Sequence, residues 1–374
     1  MARHFDLAIA GGGFAGLVCA RSAALRGLRT LVMDRQSAPG ARLRTTGLLV
    51  KEVAERWEVP ARLVRRIRGV RLYAPSLDFI DLASPGYYFL ATDTARLLAW
   101  FARKAGQAGA ELRYGRAYGG AQGDNAGLDL FGLDARARFL VGADGARSAV
   151  ARDLGLGINR EFLAGVEAEI VGVHGLDPDR LHCFIDRRLA PGYIGWAFVG
   201  MHGIAQVGLA CRPPARPDLR GFMSKLGRIA DLGDGRLIGR RGGPIPVGGR
   251  VRPWAAHRAL LIGDAAGIVS PLTAGGIHTA LESGWRAGHA IADHLLDGAP
   301  HPAVVMASAY PGFFWKRGLR RLLDIGPPDR VADLLLSTPL LRHVAQTVYF
   351  HHRGLMSARA WSEILSGETR RRAG

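Results

Sequence analysis

Three short segments of this chain carry residue types that suit one ligand. The first is Gly11-Gly12-Gly13-Phe14-Ala15-Gly16, a G-x-G-x-x-G, followed by Asp34. Gly11 permits a tight turn, Gly13 lets a pyrophosphate approach the backbone, and Gly16 lets a helix pack close to a sheet. Asp34 can accept hydrogen bonds from both hydroxyls of an adenosine ribose, and its charge disfavours a 2′-phosphate. The second segment is Gly142-Ala143-Asp144-Gly145-Ala146-Arg147-Ser148, whose glycines suit a turn tucked against a cofactor, with Asp144 ordering it. The third is Gly263-Asp264-Ala265-Ala266-Gly267, then Pro271-Leu272-Thr273-Ala274-Gly275-Gly276. These features together point to an adenine dinucleotide and leave FAD and NAD both open.

The elements that must position these residues are legible around them. Asp6–Ala10 is apolar after its first residue and reads as a short buried strand, Leu17–Leu25 as a helix ended by Gly27, and Thr30–Met33 as a second strand closing on Asp34. A bare glycine motif is weak evidence; set in strand–turn–helix–strand with an acid at the expected distance it is strong. A buried strand also precedes each of the other two turns, at Phe139–Val141 and Ala259–Ile262, and the third turn opens a long helix from Ile277 to about Leu296. Residues 35–47 read as a loop that passes near the cofactor phosphates and the reactive ring, with Arg35, Arg42, Thr45 and Thr46 as candidate contacts. Solvated surface arginines are the competing reading of Arg42 and Arg44.

The remaining chain supplies a second unit. Val50–Val64 reads as helical, Arg65–Arg71 as a basic patch entering a strand, and Leu77–Leu82 as a half-buried strand by its alternation. Thr92-Asp93-Thr94 caps a helix that returns to the nucleotide-binding part. Ala164–Val173 and Gly203–Cys211 read as strands of a second sheet, and Arg241–Pro246 as a turn leading back. Trp196 and Phe198 share a strand face because side chains alternate. They are either a core pair or the aromatic wall of a substrate pocket. The expected division is a discontinuous nucleotide-binding domain over 1–70, 90–160 and 250–300, a sheet domain over 71–89 and 161–249, and a helical region over 301–374.

Composition narrows the classes. The 374 residues are 48% hydrophobic with 51 glycines, an α/β composition with ample core. No apolar run reaches about 18 residues, so no membrane-spanning helix is expected, and the short start before the first strand leaves no room for a signal peptide. Cys19, Cys183 and Cys211 show no metal spacing and suit buried packing in a reducing cytoplasm. The net charge of +18 comes mostly from arginines spread along the chain, without a nucleic-acid motif. An arginine-rich genome, an anionic membrane surface or an acidic partner protein would each account for it. Phe313–Leu323 mixes aromatics, leucines and arginines, and could lie on an anionic bilayer or pack on the body of the protein.

In that order, the three motifs resemble those of the FAD-dependent monooxygenase and reductase superfamily with the glutathione-reductase-type FAD fold. Within it the chain looks most like the geranylgeranyl reductase family, on Ser270-Pro271-Leu272-Thr273-Ala274-Gly275-Gly276-Ile277, on Pro191–Phe198 and on Gly242–Pro246. The resemblance implies a Rossmann-like three-layer α/β domain holding FAD, an inserted antiparallel-sheet substrate domain and a helical C-terminal region. It implies Ala15 and Gly16 at the pyrophosphate, Asp34 at the ribose, Tyr118 near the adenine through its backbone, and Asp264 at the ribityl chain or pyrophosphate. Gly276 and Ile277 would then aim backbone N–H groups at the flavin pyrimidine edge, stabilising the negative charge of reduced flavin. Two departures stand out. Family members often carry a cysteine–glycine pair where Thr45, Thr46 and Gly47 stand, and an arginine where Thr94 stands.

The function so implied is hydride delivery from reduced FAD to a carbon–carbon double bond of an isoprenoid lipid. Trp196 and Phe198 would stabilise positive charge on a tertiary carbon, and Tyr193 or His278 would be candidate proton donors. The electron source would be NAD(P)H or a reduced ferredoxin. The expected location is cytoplasmic, at the inner face of the cell membrane if the lipid is reached there. A hydroxylating monooxygenase shares all three motifs, and a non-catalytic flavin-bound protein is the reading from another class.

Overall fold

The computed structural model describes residues 2–350 apart from 125, 234, 309, 326–328 and 337. The chain divides into two compact units, one formed by Met1–Leu63, Thr92–Leu163 and Arg241–Arg317, the other by Val64–Ala91, Ala164–Arg240 and the chain from Gly318 on. The short helix Pro302–Ala307 therefore falls in the first unit, and the helices after Gly318 fall in the second. Expectations for 351–374 lie outside the described residues.

The first unit is built on a sheet whose parallel strands run in the order Ala259–Leu261, Ala135–Gly142, Arg3–Ala10, Thr30–Asp34, Glu111–Tyr114. Strands buried on both faces need continuous apolar sequence. Leu7, Ile9, Leu140, Val141 and Leu260 accordingly have no exposed surface. Register fixes what the strands deliver. Ala10 lies opposite Met33 on one side and Gly142 on the other, so the ends of all three strands come level. Helix Phe14–Leu25 leaves the first strand, and helix Ile277–Asp297 packs on it. Gly284 and Gly288 make that contact close: a Cβ at Gly284 would stand 2.2 Å from the Ala15 carbonyl oxygen, and one at Gly288 2.6 Å from Ser22 Cβ.

A seven-stranded sheet, most of whose residues belong to the second unit, runs in the order Arg236–Pro246, Phe162–Val171, Ala205–Cys211, Gly195–Val199, Arg180–Phe184, Gly69–Tyr73, Phe79–Ala83. Phe162–Val171, Ala205–Cys211, Gly195–Val199 and Arg180–Phe184 pair antiparallel in succession, as do Gly69–Tyr73 and Phe79–Ala83, but Arg180–Phe184 runs parallel to Gly69–Tyr73, so the sheet is mixed where the sequence suggests an antiparallel one. One face packs on helix Leu219–Leu226 through Phe184, Ala197, Val207, Leu209 and Phe222. Asp218 caps that helix by accepting from Gly221 N at 2.9 Å.

Two local expectations are corrected, and the setting of a third is now visible. Val50–Val64 is not one helix. It is a short helix Lys51–Arg56, a 3-10 turn Ala61–Leu63 and the start of a strand, because Pro60 cannot donate to a helical ladder. The basic patch Arg65–Arg71 is largely neutralised: Arg68 meets Asp179 at 3.0 Å, and Arg71 holds Asp81 through two bonds of 2.8 Å. Arg241–Pro246 is not a turn but the end of the long strand Arg236–Pro246, at the sheet edge where proline is tolerated. Among the described residues no helix is long and apolar enough to cross a membrane.

Candidate functional site

The turns at the strand ends meet in the first unit. Gly11 has φ +110°, and a Cβ there would stand 2.3 Å from the Ala143 carbonyl oxygen. The first glycine is thus needed for its conformation and for contact with the second motif. A Cβ at Gly16 would stand 1.9 Å from the Gly11 carbonyl oxygen, and one at Gly263 3.0 Å from Ala15 Cβ. Ala143 N donates to Ala10 O at 2.8 Å and Ile262 N to Gly142 O at 3.0 Å, which ties the three segments together through the backbone. Asp264 Oδ1 stands 3.2 Å from where a Cβ of Gly276 would be, at the head of the long helix. That helix starts on Gly276 with no side-chain cap, leaving its first N–H groups for a ligand.

The ribose end is equally defined. Asp34 Oδ2 accepts from Gly12 N at 2.6 Å and Oδ1 from Gln36 N at 2.7 Å. Each oxygen keeps one lone pair for a ribose hydroxyl. Arg42 N donates to Gln36 Oε1 at 2.6 Å, folding the loop back over this acid. Arg35 and Arg42 are exposed, and partial burial, aided by the charges of these two neighbours, lowers the pKa of Arg44. Gly115 N and Arg116 N donate to Gln36 O and Asp34 O at 2.6 and 2.8 Å, so the segment leading to Tyr118 begins beside the ribose acid. The Tyr118 hydroxyl is engaged elsewhere, with Asp153.

Whether FAD fits these residues is tested by what they leave unsatisfied. Nothing lies within 4 Å of where a Cβ of Gly13 would be, so the middle of the first turn opens on free space. Asp144 Oδ2 accepts from Ala149 N and Val150 N, ordering its turn, but Oδ1 is buried without a partner. Asp264 accepts no side-chain hydrogen bond among the described residues, and burial pushes its carboxyl up to about 6. Buried polar atoms left bare are costly unless a ligand or water meets them. The open glycine, the bare acids and the uncapped helix together suit a pyrophosphate, a ribityl chain and a flavin edge. Phe14 contributes only backbone here, because its ring packs edge-on to Phe101 at 5.7 Å and is buried.

Asp264 gives a pH-dependent expectation. An acid whose folded pKa lies above its unfolded value favours the folded state fully below about 4, and loses that contribution as pH rises through about 6. Asp264→Asn should therefore raise the melting temperature of FAD-free protein at pH 7 to 8, by up to about 3 kcal/mol in stability, and leave it unchanged at pH 4. Thermal scans at the two pH values check this.

Sequence reasoning missed three residues of this site. Tyr114 lies against Gly12, its hydroxyl is buried without a partner, and burial with the neighbouring Asp34 pushes it up to about 12. Asn159 Nδ2 donates to Ala146 O at 3.0 Å and Asp264 O at 2.8 Å, stitching the second motif to the third. Thr94 fills the space beside Gly47: its Oγ1 would be 1.8 Å from a Cβ there, and Thr92 Oγ1 donates to Gly47 O at 2.7 Å. Thr45 lies in the same loop, its Oγ1 accepting from Gly47 N at 3.4 Å, with Thr46 half-buried beside it.

Within the second unit, the Trp196 indole N–H donates to Glu167 Oε2 at 2.7 Å, and its ring lies on Gly208, where a Cβ would come within 2.6 Å. Phe198 has no exposed surface and offers no face to a ligand. The half-buried Tyr193 ring lies 5.8 Å from the Arg320 guanidinium carbon, and desolvation of its hydroxyl raises it above the ordinary tyrosine value. His278 lies in the first turn of helix Ile277–Asp297, in the other unit.

Residues 6–117 match the family described as FAD dependent oxidoreductase. Taken with the cradle just described, this makes the chain an FAD-dependent oxidoreductase. Within that class its similarity runs to geranylgeranyl reductases. It is 28% identical over 307 residues to digeranylgeranylglycerophospholipid reductase 2 of Methanothermobacter thermautotrophicus, covering 79% of each chain. It is also 28% identical over 312 residues to geranylgeranyl diphosphate reductase of Rhodobacter capsulatus, covering 79% of this chain and 77% of that one. The crystal structure of a geranylgeranyl bacteriochlorophyll reductase-like protein from Thermoplasma acidophilum shares the fold, with a TM-score of 0.83 at 21% identity over 98% of this chain and 97% of that one.

Proposed function

We propose that this flavoprotein reduces carbon–carbon double bonds in the prenyl chains of an isoprenoid lipid. The observation that carries the proposal is the union of two facts: the three turns that suit FAD converge in one unit, and similarity to prenyl-chain reductases runs on through most of the chain. FAD, when bound and reduced, supplies hydride. The residues of the chain do the rest. The turn at Gly11–Gly16 and the bare carboxyls hold the cofactor. The uncapped head of helix Ile277–Asp297 favours negative charge at the flavin edge. In the sheet unit, Trp196 offers the aromatic face that steadies developing positive charge on the substrate. Tyr193 is a poor proton donor while its hydroxyl stays buried, since its raised pKa weakens it as an acid.

The electron donor is a nicotinamide dinucleotide or an acidic reduced ferredoxin; among exposed cationic surfaces, salt should weaken only the second. Peripheral contact with an anionic bilayer is supported by Phe314, which is 77% exposed and stands beside Lys316 and Arg317 in the sequence. The central test is anaerobic incubation of FAD-loaded protein with dithionite and geranylgeraniol. A product gain of about two mass units per step is expected, because a reductase adds two hydrogen atoms to each double bond and needs no oxygen. Turnover that requires oxygen and adds a single oxygen atom would mean a monooxygenase instead.

A further inference from the structure

Two adjoining cavities in the first unit are bordered by arginines that no carboxylate neutralises. The larger, of about 440 Å³, is lined by Arg152, Arg160 and Arg252, with Ile158 and Pro253 as an apolar wall. The smaller, of about 280 Å³, shares Arg152 and Ile158 and adds Arg147. All four arginines are exposed. Arg152 Nη1 donates to Arg147 O at 3.3 Å, and among the described residues none of the four forms an ion pair. Asp153 and Glu161, next in sequence to Arg152 and Arg160, line neither cavity. The walls are fixed: Gly157 N donates to Pro253 O at 2.6 Å, and a Cβ on Gly157 would stand 2.5 Å from Arg252 N, which locks the two loops together. Like charges gathered round a hollow repel one another and focus a positive field into it, which favours a ligand with several negative charges. A concave site of this size takes a small molecule rather than the surface of a folded protein. Guanidinium forks suit phosphate oxygens, and Ile158, 45% exposed, offers a purine an apolar face. The smaller cavity is also lined by Ala146 and Ala265, which belong to the second and third motifs, so it borders the turns that suit FAD.

Resting on the reductase reading, which requires a donor of electrons, we infer that the larger cavity holds the phosphate-bearing adenosine half of NADPH, with Arg152, Arg160 and Arg252 on its phosphates. The ribose 2′-phosphate brings negative charge that NADH lacks, so the site selects NADPH over NADH. The smaller cavity gives the rest of the dinucleotide a way toward the FAD turns. The nicotinamide gives up a hydride and becomes NADP+; with one proton from water, that hydride accounts for both hydrogens of reduced FAD. Enclosed in the hollow, these contacts are screened by salt less than those of a protein docked on the open surface.

The test uses FAD-loaded full-length protein, so that the FAD cradle is filled, and its binding arms need no prenyl substrate. Calorimetry should show NADP+ binding about ten- to a hundredfold more tightly than NAD+, the gain expected of one phosphate held by charged hydrogen bonds. 2′,5′-ADP, which carries the adenosine end alone, should displace NADP+ at least about tenfold better than 5′-AMP does. In the double variant Arg160→Gln, Arg252→Gln the preference for NADP+ should shrink to within about threefold. Its flavin content and its dithionite-driven rate on geranylgeraniol should match the wild type. A wild type that binds NADP+ no better than NAD+, or a double variant that keeps the preference, overturns the inference. Ile158→Glu, at an exposed position, sets a carboxylate among the arginines and should weaken NADP+ as strongly; unchanged affinity in that variant refutes the site. Failure of the reductase reading looks different: geranylgeraniol then goes unreduced under dithionite in every variant, while the preference for NADP+ stands.

Discussion

Gly13→Ala should give a protein that folds with nearly native stability and holds no flavin. The backbone there, φ −83° and ψ −173°, is one that alanine adopts without strain, and nothing in the protein lies within 4 Å of the added methyl. Losing glycine at a helix N-cap costs about 1 kcal/mol at most. The methyl projects instead into the space that a pyrophosphate needs for close approach. Overpacking of that kind weakens binding by about a hundredfold. Gly16→Ala is the contrast. Its methyl would meet the Gly11 carbonyl oxygen at 1.9 Å, so that variant should lose stability and flavin together. Melting curves of FAD-free protein and flavin titration by absorbance separate the two. Gly13→Ala protein that keeps its yellow colour through gel filtration would show that no phosphate passes there.

Trp196→Leu should lower the rate of double-bond reduction by about tenfold or more while flavin content is unchanged, since a desolvated cation–π contact is worth up to about 2 kcal/mol. The indole is held at two points, its N–H by Glu167 at 2.7 Å and its ring by Gly208 beneath it. Glu167 is only 3% exposed, so this bond is shielded from water. Leucine restores bulk but supplies no π-face and leaves the Glu167 carboxylate without its indole donor. Single-turnover oxidation of the reduced flavin by substrate isolates the chemical step from binding and release. Equal single-turnover rates for wild type and Trp196→Leu would remove the aromatic residue from the mechanism.

The nucleotide-binding turns could be read from the sequence because their requirements are local. A turn, a close approach and a helix start all fall within Gly11–Gly16, and each demands glycine or an apolar neighbour at a fixed offset. Partners distant in sequence carry no such mark. Nothing near Asn159 says that it will join Ala146 to Asp264, and nothing near Gly47 says that Thr94 will stand against it. Yet Thr45–Gly47 and Thr94, two of the places where the chain departs from the family pattern, meet in space. The partners of Arg65–Arg71 carry no local mark for the same reason, since the neutralising Asp81 and Asp179 come from elsewhere in the chain. Period-two alternation put Trp196 and Phe198 on one face, but it carries no depth, and only the structure shows that Phe198 is sealed in. Gly242-Gly243-Pro244 has the composition of a turn, which hid an edge strand.

The order in which the first unit's pieces occur along the chain has a consequence for its biosynthesis. Its sheet needs Ala259–Leu261 beside Ala135–Gly142, and its first helix needs Ile277–Asp297 packed on it. A nascent polypeptide cannot close that unit before Asp297 has left the ribosome, although Gly11–Gly16 emerged at the outset. During that interval the apolar first helix is uncovered on one side, and contacts between such distant segments form slowly. Cofactor capture is therefore a late, nearly post-translational event for this flavoprotein, and chains truncated before that helix should be claimed by chaperones rather than by FAD.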